Sequence, residues 1–379
     1  MQPKPRSVKR IEQAQELIFN SPPKSAQIAF SPRELIQTTL PHRDPGNVPI
    51  WERRNGNFSL IIQPGYSSAK RKVLGYPFGS IPRLLILWMT SEVLRTNHRR
   101  ITLAENLSQF MRSIGLNPRN GGTTNERSDR FRLSDQAERL FGARISFQYW
   151  GEINGKKLES RADMIVAPKI HLWWSDRNMN SVFEKGSWIE LSEEFYNAIA
   201  KNPVPVDLRS VQALKNSPLA IDIYCWATLR AYAAQQKNKS QAVSWEALRD
   251  QIGCEYANVW NFQQKFKKAL EKVQAVYPWF QFEYIPGGIS VLPSAPSVTH
   301  KSRKRNTTVT STTSSIDKDI QVSSEAFSQA CLIIANAGTG WCKYALEKQF
   351  YEYSKKAGRP KNIDKAFLGF VRKKVQKHP

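Results

Sequence analysis

The sequence has few of the devices that mark enzymes, membrane proteins or disulfide-stapled domains. Its four cysteines, Cys225, Cys254, Cys331 and Cys342, are scattered, with no C-x-x-C and no nearby His pair. That pattern argues against a zinc site or a disulfide framework and suits a reducing compartment. No apolar run approaches the ~20 residues that a membrane span requires. The first Lys and Arg residues are not followed by the apolar stretch of a secretory signal. G-x-x-x-x-G-K-[ST] is absent, so no P-loop nucleotide site is expected. The five histidines (His42, His98, His171, His300, His378) contain no His-x-His that would hold a nickase metal. His171 sits between Ile170 and Leu172 and reads as a packed strand residue. Glu193-Glu194 reads as a helix N-terminal pair favoured by the dipole. No catalytic residue, no metal site and no cofactor is expected.

Acid is scarce as well. Asp and Glu number 32 against 56 Lys and Arg, a formal charge of +24 in 379 residues. Such an excess suits a polyanionic partner, because each phosphate neutralised releases condensed counterions. With 11 Trp, 18 Phe and 12 Tyr the chain also has ample material for a packed core. Its length suggests two or three domains.

Residues 1–79 read as an irregular arm with short elements. Ser31-Pro32-Arg33-Glu34 offers a helix cap, and Trp51 to Ile62 a strand pair turned at Asn55-Gly56. From Ser80 the signals sharpen. Pro82 to Thr96 is a Leu/Ile-rich helix, and Thr102-Leu103-Ala104-Glu105 reads as a capping box for a second helix ending at Gly115. A third helix is expected from about Asn125 to Phe141, with Leu133, Ala137, Leu140 and Phe141 on one face. The period then changes to two, through Ile145, Phe147 and Tyr149. Asn154-Gly155-Lys156-Lys157 makes a basic turn, with return strands at Met164–Val166 and Ile170–Trp174.

The order recurs one domain later. Ser217-Pro218 opens an apolar helix, and Ser244 caps a short helix ending at Gly253. A long helix then runs from Asn258 to Val276, and a hairpin turns at Pro286-Gly287-Gly288. Helix, capped helix, long amphipathic helix and hairpin is the winged-helix order, and two copies strengthen it. The expected fold class is α+β, mainly α: tandem winged-helix domains followed by a small helical module. The domains fall at 80–200 and 217–293. Trp188 to Lys201 and Asp207 to Lys215 form connecting helices, the latter within a 201–216 connector. Residues 294–323 are a disordered basic, Ser/Thr-rich linker. Residues 324–379 are a small basic helical module, and residues 301–379 hold 16 Lys/Arg against 6 Asp/Glu.

In a helix-turn-helix the third helix enters the major groove, so its solvent face supplies hydrogen-bonding side chains. The first copy offers Asn125, Arg127, Ser128, Arg132 and Arg139, and the second Asn261, Gln264, Lys265, Lys268 and Lys272. Lys156, Lys157 and Arg161 lie at the basic wing turn. Lys301, Arg303, Lys304 and Arg305 form a phosphate-attracting run. Each of these sets also reads as ordinary solvated charge.

Ile81-Pro82-Arg83 with the Leu-rich helix after it, Thr102-Leu103-Ala104 leading to Gly115, Phe147 to Trp150, Leu172-Trp173-Trp174 and Ser217 to Tyr224 resemble the RepA family of plasmid replication initiators, over roughly residues 75–295. The resemblance implies a cytoplasmic, plasmid-associated initiator that binds repeated sites in origin duplex DNA. It also implies melting of an adjacent A·T-rich segment, recruitment of the host replicative helicase with other host initiator proteins, and no covalent chemistry. A homodimer is left open. Trp341 to Tyr353, Gly358 and Ala366 to Val371 resemble the DNA-binding part of the primosomal protein DnaT, which implies single-stranded DNA on residues 324–379. A helical packing or interaction module is the other reading there. Two rival functions remain for the whole chain: a winged-helix transcriptional regulator, and a replication enzyme such as a nickase or primase.

Overall fold

The computed structural model describes residues 6–104, 106–120, 128–153, 156–172, 187–253 and 255–298. Nearer the C-terminus it describes 322–323, 326, 329–330, 333, 346, 349–350, 353–354, 360 and 362–377. The chain forms two units, Met1–His300 and Lys301–Pro379. It is an α+β protein with small sheets.

The arm is more ordered than its composition suggests. Helix α1 (Arg6–Asn20) turns Ala14 and Ile18 inward, with Ile11 against the same core. Strand β1 (Ile28–Ser31) follows, so Ser31 lies in a strand instead of capping a helix. The one-turn helix α2 (Arg33–Gln37) starts after Pro32, whose fixed φ suits a helix entry. Strands β2 (Trp51–Asn55) and β3 (Phe58–Gln63) form the expected hairpin around Gly56, whose φ of +56° favours glycine. A short pair, β4 (Tyr66–Ser67) and β5 (Lys72–Val73), completes the arm.

Helix α3 (Ser80–Thr96) is buried nearly all round, which a run of Leu and Ile on every face demands. Next comes strand β6 (Arg100–Thr102), so Thr102 is a strand residue. Helix α4 (Leu107–Ser113) is capped by Asn106, whose side chain accepts the Gln109 N–H. The capping-box reading of Thr102 is thereby corrected; Ile101 is needed in the sheet. Helix α5 (Asp129–Gly142) begins at a Ser128 cap, later than expected, and buries Leu133, Ala137, Leu140 and Phe141. Strands β7 (Arg144–Ile153) and β8 (Lys156–Ile165) then form a long hairpin.

This hairpin is not the terminal element of the first repeat. β7 pairs with β3 of the arm, giving a four-stranded sheet ordered β2-β3-β7-β8. Leu60 opposite Phe147 and Ile62 opposite Ile145 put apolar side chains on the core face. The hairpin that closes the first repeat is β9 (Lys169–His171) with β10 (Trp188–Glu190), joined to β6 in the order β6-β10-β9. The Trp188–Lys201 segment is thus a strand followed by helix α6 (Glu193–Ala200), capped by Ser192. Strand β11 (Val204–Asp207) pairs with β1, and helix α7 (Leu208–Leu214) packs on α1.

In the second repeat the three helices start where expected, but the first runs on to Lys237, a strand precedes the short helix, and the closing hairpin starts only at Phe282. The repeat comprises α8 (Pro218–Lys237), β12 (Gln241–Ser244), α9 (Trp245–Ile252), α10 (Val259–Val276), β13 (Phe282–Ile285) and β14 (Gly288–Val291). Ser217, Ser244 and Asn258 each cap the helix that follows. Its sheet order is β12-β14-β13, the same permutation as β6-β10-β9. The repeats therefore share element order and strand order, and β7–β8 is an insertion in the first. One apolar core runs from Ala14 to Val291 through both.

In the C-terminal unit, helix α11 (Ile363–Lys377) buries Phe367, Val371 and Val375 against Ala326, Ala330, Leu346 and Phe350. No helix among the described residues is long and apolar enough to cross a membrane.

A buried charge cluster links the two repeats. Asp222 of α8 accepts two bonds from the Arg83 guanidinium of α3, from Nε at 2.7 Å and Nη2 at 2.6 Å. His42 Nε2 lies 2.8 Å from the same carboxylate. Burial works to raise the Asp222 pKa, but Arg83 and the His42 hydrogen bond outweigh it and hold it below the usual carboxylate range. Burial depresses the His42 pKa. Asp222→Ala strands Arg83 in the core and is expected to cost about 3–5 kcal/mol in denaturant unfolding. Arg54→Ala, at an exposed pair with Glu52, should leave the unfolding midpoint unchanged. Because His42 binds protons less readily folded than unfolded, its contribution is complete above an unfolded pKa of about 6.5 and is lost as pH falls below it. His42→Gln should therefore flatten the stability slope between about pH 7 and 5.

Candidate nucleic-acid interface

Long amphipathic helices follow capped short helices in both repeats, so α5 and α10 occupy equivalent positions. Their chemistry differs. On α10, Phe262, Phe266, Ala269, Leu270, Val273 and Val276 are buried. Phe266 meets Trp226 of α8 edge-on at 5.9 Å and Trp245 of α9 at 5.6 Å. The turn into the helix is tight: a Cβ on Gly253 would run into the Phe262 ring. Asn258 then caps the helix, its Oδ1 accepting the Asn261 N–H at 2.8 Å.

The opposite face of α10 is free for a partner. Asn261, Lys265, Lys268 and Lys272 recur at i, i+4, i+7 and i+11, and all are exposed. Gln264 lies half-buried beside them. None of the three lysines enters an ion pair among the described residues. Over its whole length α10 carries four Lys and one Glu, Glu271. Lys267 is the lysine with local partners, lying 4.9 Å over the Tyr284 ring of β13 and 5.8 Å over Trp245. One residue on this surface was overlooked from the sequence: Trp260, 66% exposed in the first turn. Its position off the apolar stripe was the available signal.

The α5 face is self-neutralised, with three Arg against Asp129, Asp135 and Glu138. Ser128 is wholly buried, and its hydroxyl accepts the Phe131 N–H. It is a cap and faces no partner. Arg139 is 19% exposed and already spoken for: Asp135 at 3.0 Å, Asp44 at 3.0 Å and the Phe78 ring at 5.3 Å. Arg132 stays exposed, 3.7 Å from Asp129, beside the half-exposed Phe131. Asn125 and Arg127 lie outside the described residues.

Arg161 is exposed and paired with Asp163 at 2.6 Å, on the solvent face of the four-stranded sheet. Its bond, with that of Ser146, lowers the Asp163 pKa. Lys156 and Lys157 open β8 in the same sheet and so do not belong to the hairpin that closes the first repeat; their side chains are outside the described set. At that closing hairpin, Arg100 and Lys169 hold Glu190 at 2.9 and 3.0 Å, and Arg100 lies 4.0 Å over the Trp188 ring. Lys169 and Arg100 lower the Glu190 pKa. Lys301, Arg303, Lys304 and Arg305 lie outside the described residues. Among the described residues no His/Cys/Asp/Glu group has the arrangement of a metal site.

Residues 76–247 match the family model of the plasmid-encoded RepA protein. This part of the chain is RepA-like. The match begins just before α3, spans the first repeat and stops inside α9, so α10 lies beyond it. Two crystal structures of domains 2 and 3 of RctB also align. One covers 71% of this chain and 99% of that chain with a TM-score of 0.44 and 9% identity. The other covers 68% and 94%, with a TM-score of 0.36 and 7% identity. No curated protein matches the chain in sequence.

The separation of free from committed cations is testable on folding alone. Arg139→Ala should lower unfolding free energy by on the order of 1 kcal/mol, as a half-buried network residue does. Lys268→Ala should leave it within about 0.5 kcal/mol.

Proposed function

We propose that the chain is a plasmid replication initiator that binds repeated duplex DNA sites and acts without covalent chemistry. In this reading residues 80–200 and 217–293 are winged-helix domains joined by a 201–216 connector. The observation that carries it is the unpaired basic face of α10, at the place in its repeat where a winged helix carries its recognition helix. Asn261 and Gln264 read base edges, while Lys265, Lys268 and Lys272 take phosphates. The first repeat contributes Arg132 and backbone contacts, with less charge. The RepA match supports the initiator role. Local melting and helicase recruitment then follow binding, as functions of the bound assembly.

The decisive experiment measures binding of the purified chain to its plasmid's origin repeats against a scrambled duplex, across salt. A preference of about a thousandfold or more with a steep salt slope is expected. Equal affinity for both duplexes would remove origin recognition. Gln264→Ala should relax the preference, whereas Lys268→Ala should weaken both duplexes alike and reduce the salt slope by about one. A transcriptional regulator with the same fold would bind specifically yet fail to maintain an origin-bearing plasmid.

The C-terminal unit supports a second contact, with single-stranded DNA. Tyr353 is half exposed, 5.6 Å from Phe370, and Lys374 Nζ stands 5.7 Å over the Phe370 ring. An aromatic pair with a cation beside it is a stacking platform for bases. Tyr353→Ala should weaken oligothymidine binding by about 1–3 kcal/mol while leaving duplex affinity unchanged. Loss of duplex affinity instead would assign Tyr353 to another role.

A further inference from the structure

The side chains at the leading end of α10 are of a narrow kind. Its first two turns present Trp260, Asn261, Gln264 and Lys265, with no acid. Arginine and lysine are the usual partners of guanine O6 and N7, and these two turns hold no arginine and one lysine, Lys265, beside two exposed or half-exposed amides. Asn and Gln are the side chains whose amides match adenine N6 and N7. Trp260 and Gln264 are one turn apart, so the indole and an amide sit side by side. An indole exposed to 66% on a helix otherwise polar outside offers a flat apolar surface. In the major groove the apolar feature it can cover is the thymine 5-methyl group.

Resting on the reading that α10 enters duplex DNA, we infer that its half-site is centred on A·T pairs. Trp260 covers a thymine methyl while Asn261 and Gln264 engage adenine edges. Trp260 is then a specificity-determining residue, and the lysines of α10 are left to the phosphates. Because the indole is exposed in the free protein, its replacement leaves the core of α10 untouched.

The test is selection from a random duplex library with the full-length chain, repeated with Asn261→Ala, Gln264→Ala and Trp260→Ala. The positions whose preference the Asn261 and Gln264 variants lose define the α10 half-site, and they should be A·T pairs. In the selected duplex, deoxyuridine for thymine there should weaken wild type about fivefold or more, and 7-deazaadenine for adenine likewise. Trp260→Ala should show the same loss on the thymine duplex and no further loss on deoxyuridine. G·C pairs at the positions lost, or a Trp260→Ala loss that persists undiminished on deoxyuridine, overturns the inference and leaves sequence-specific binding standing. No enriched sequence at all overturns both. Melting temperatures of the three variants, expected to equal wild type, separate a lost contact from a lost fold.

Discussion

One buried ion pair, Arg83 with Asp222, ties the two repeats together inside their shared core. Arg83 has five N–H donors, and all are placed: Nε and one from Nη2 on the carboxylate, the other from Nη2 on Leu40 O, and those of Nη1 on Pro41 O and Gly79 O. His42 occupies a further lone pair of Asp222. Such a pair adds little net stability over an apolar filling of the same shape, since two charges must leave water. Its effect is directional. A fork bound at both oxygens admits one relative setting of α3 and α8, where Leu against Leu would admit several. Each repeat is built on one of these helices, so the setting of α5 relative to α10 follows from it.

The same cluster reaches the entry to α10. Arg53, wholly buried, donates to Ile252 O at 2.8 Å and bonds Thr39 and Glu255. His42 N donates to Glu255 Oε1 at 3.1 Å. Glu255 precedes the Asn258 cap by three residues, so the loop entering α10 is fastened from behind by the arm. A helix that meets DNA with its first turns gains from a fixed entry, because ordering on binding would subtract from affinity. The arm, irregular by composition, thereby supports the start of α10.

Legibility in the sequence followed how local each signal was. The helix starts of the second repeat were readable to within a residue because Ser217, Ser244 and Asn258 are caps that act over three or four positions, whereas the end of α8, the start of β13 and the whole of β12 carry no such mark. In the first repeat the same rule selected Thr102, and the cap proved to be Asn106, since strand pairing with β10 claims residues 100–102. The β7–β8 hairpin is legible as a hairpin and reads as the wing of the first repeat; its partner β3 lies some eighty residues earlier, and local alternation cannot name a partner. β9 and β10 have three residues each, too few for any period. The charge cluster left a faint trace, Arg83 within the apolar first turns of α3 and Asp222 within those of α8. Lone charges in such helices are worth pairing with each other.

The two long helices also show why an architectural position does not by itself make a reading surface. By sequence, α5 and α10 both presented basic residues opposite an apolar stripe. In the fold, Arg139 is turned back onto Asp135, Asp44 and Phe78, and Ser128 is consumed as a cap, so α5 keeps one outward arginine in its described length. Among the described residues the α10 lysines form no ion pair, and strand β13 faces Lys267 with a tyrosine ring. Exposed cations without local partners keep their full phosphate-binding capacity, whereas a paired arginine must first break its own contacts. In the proposed reading that difference assigns α10 the main contact and α5 an auxiliary one, although the two occupy the same place in their repeats.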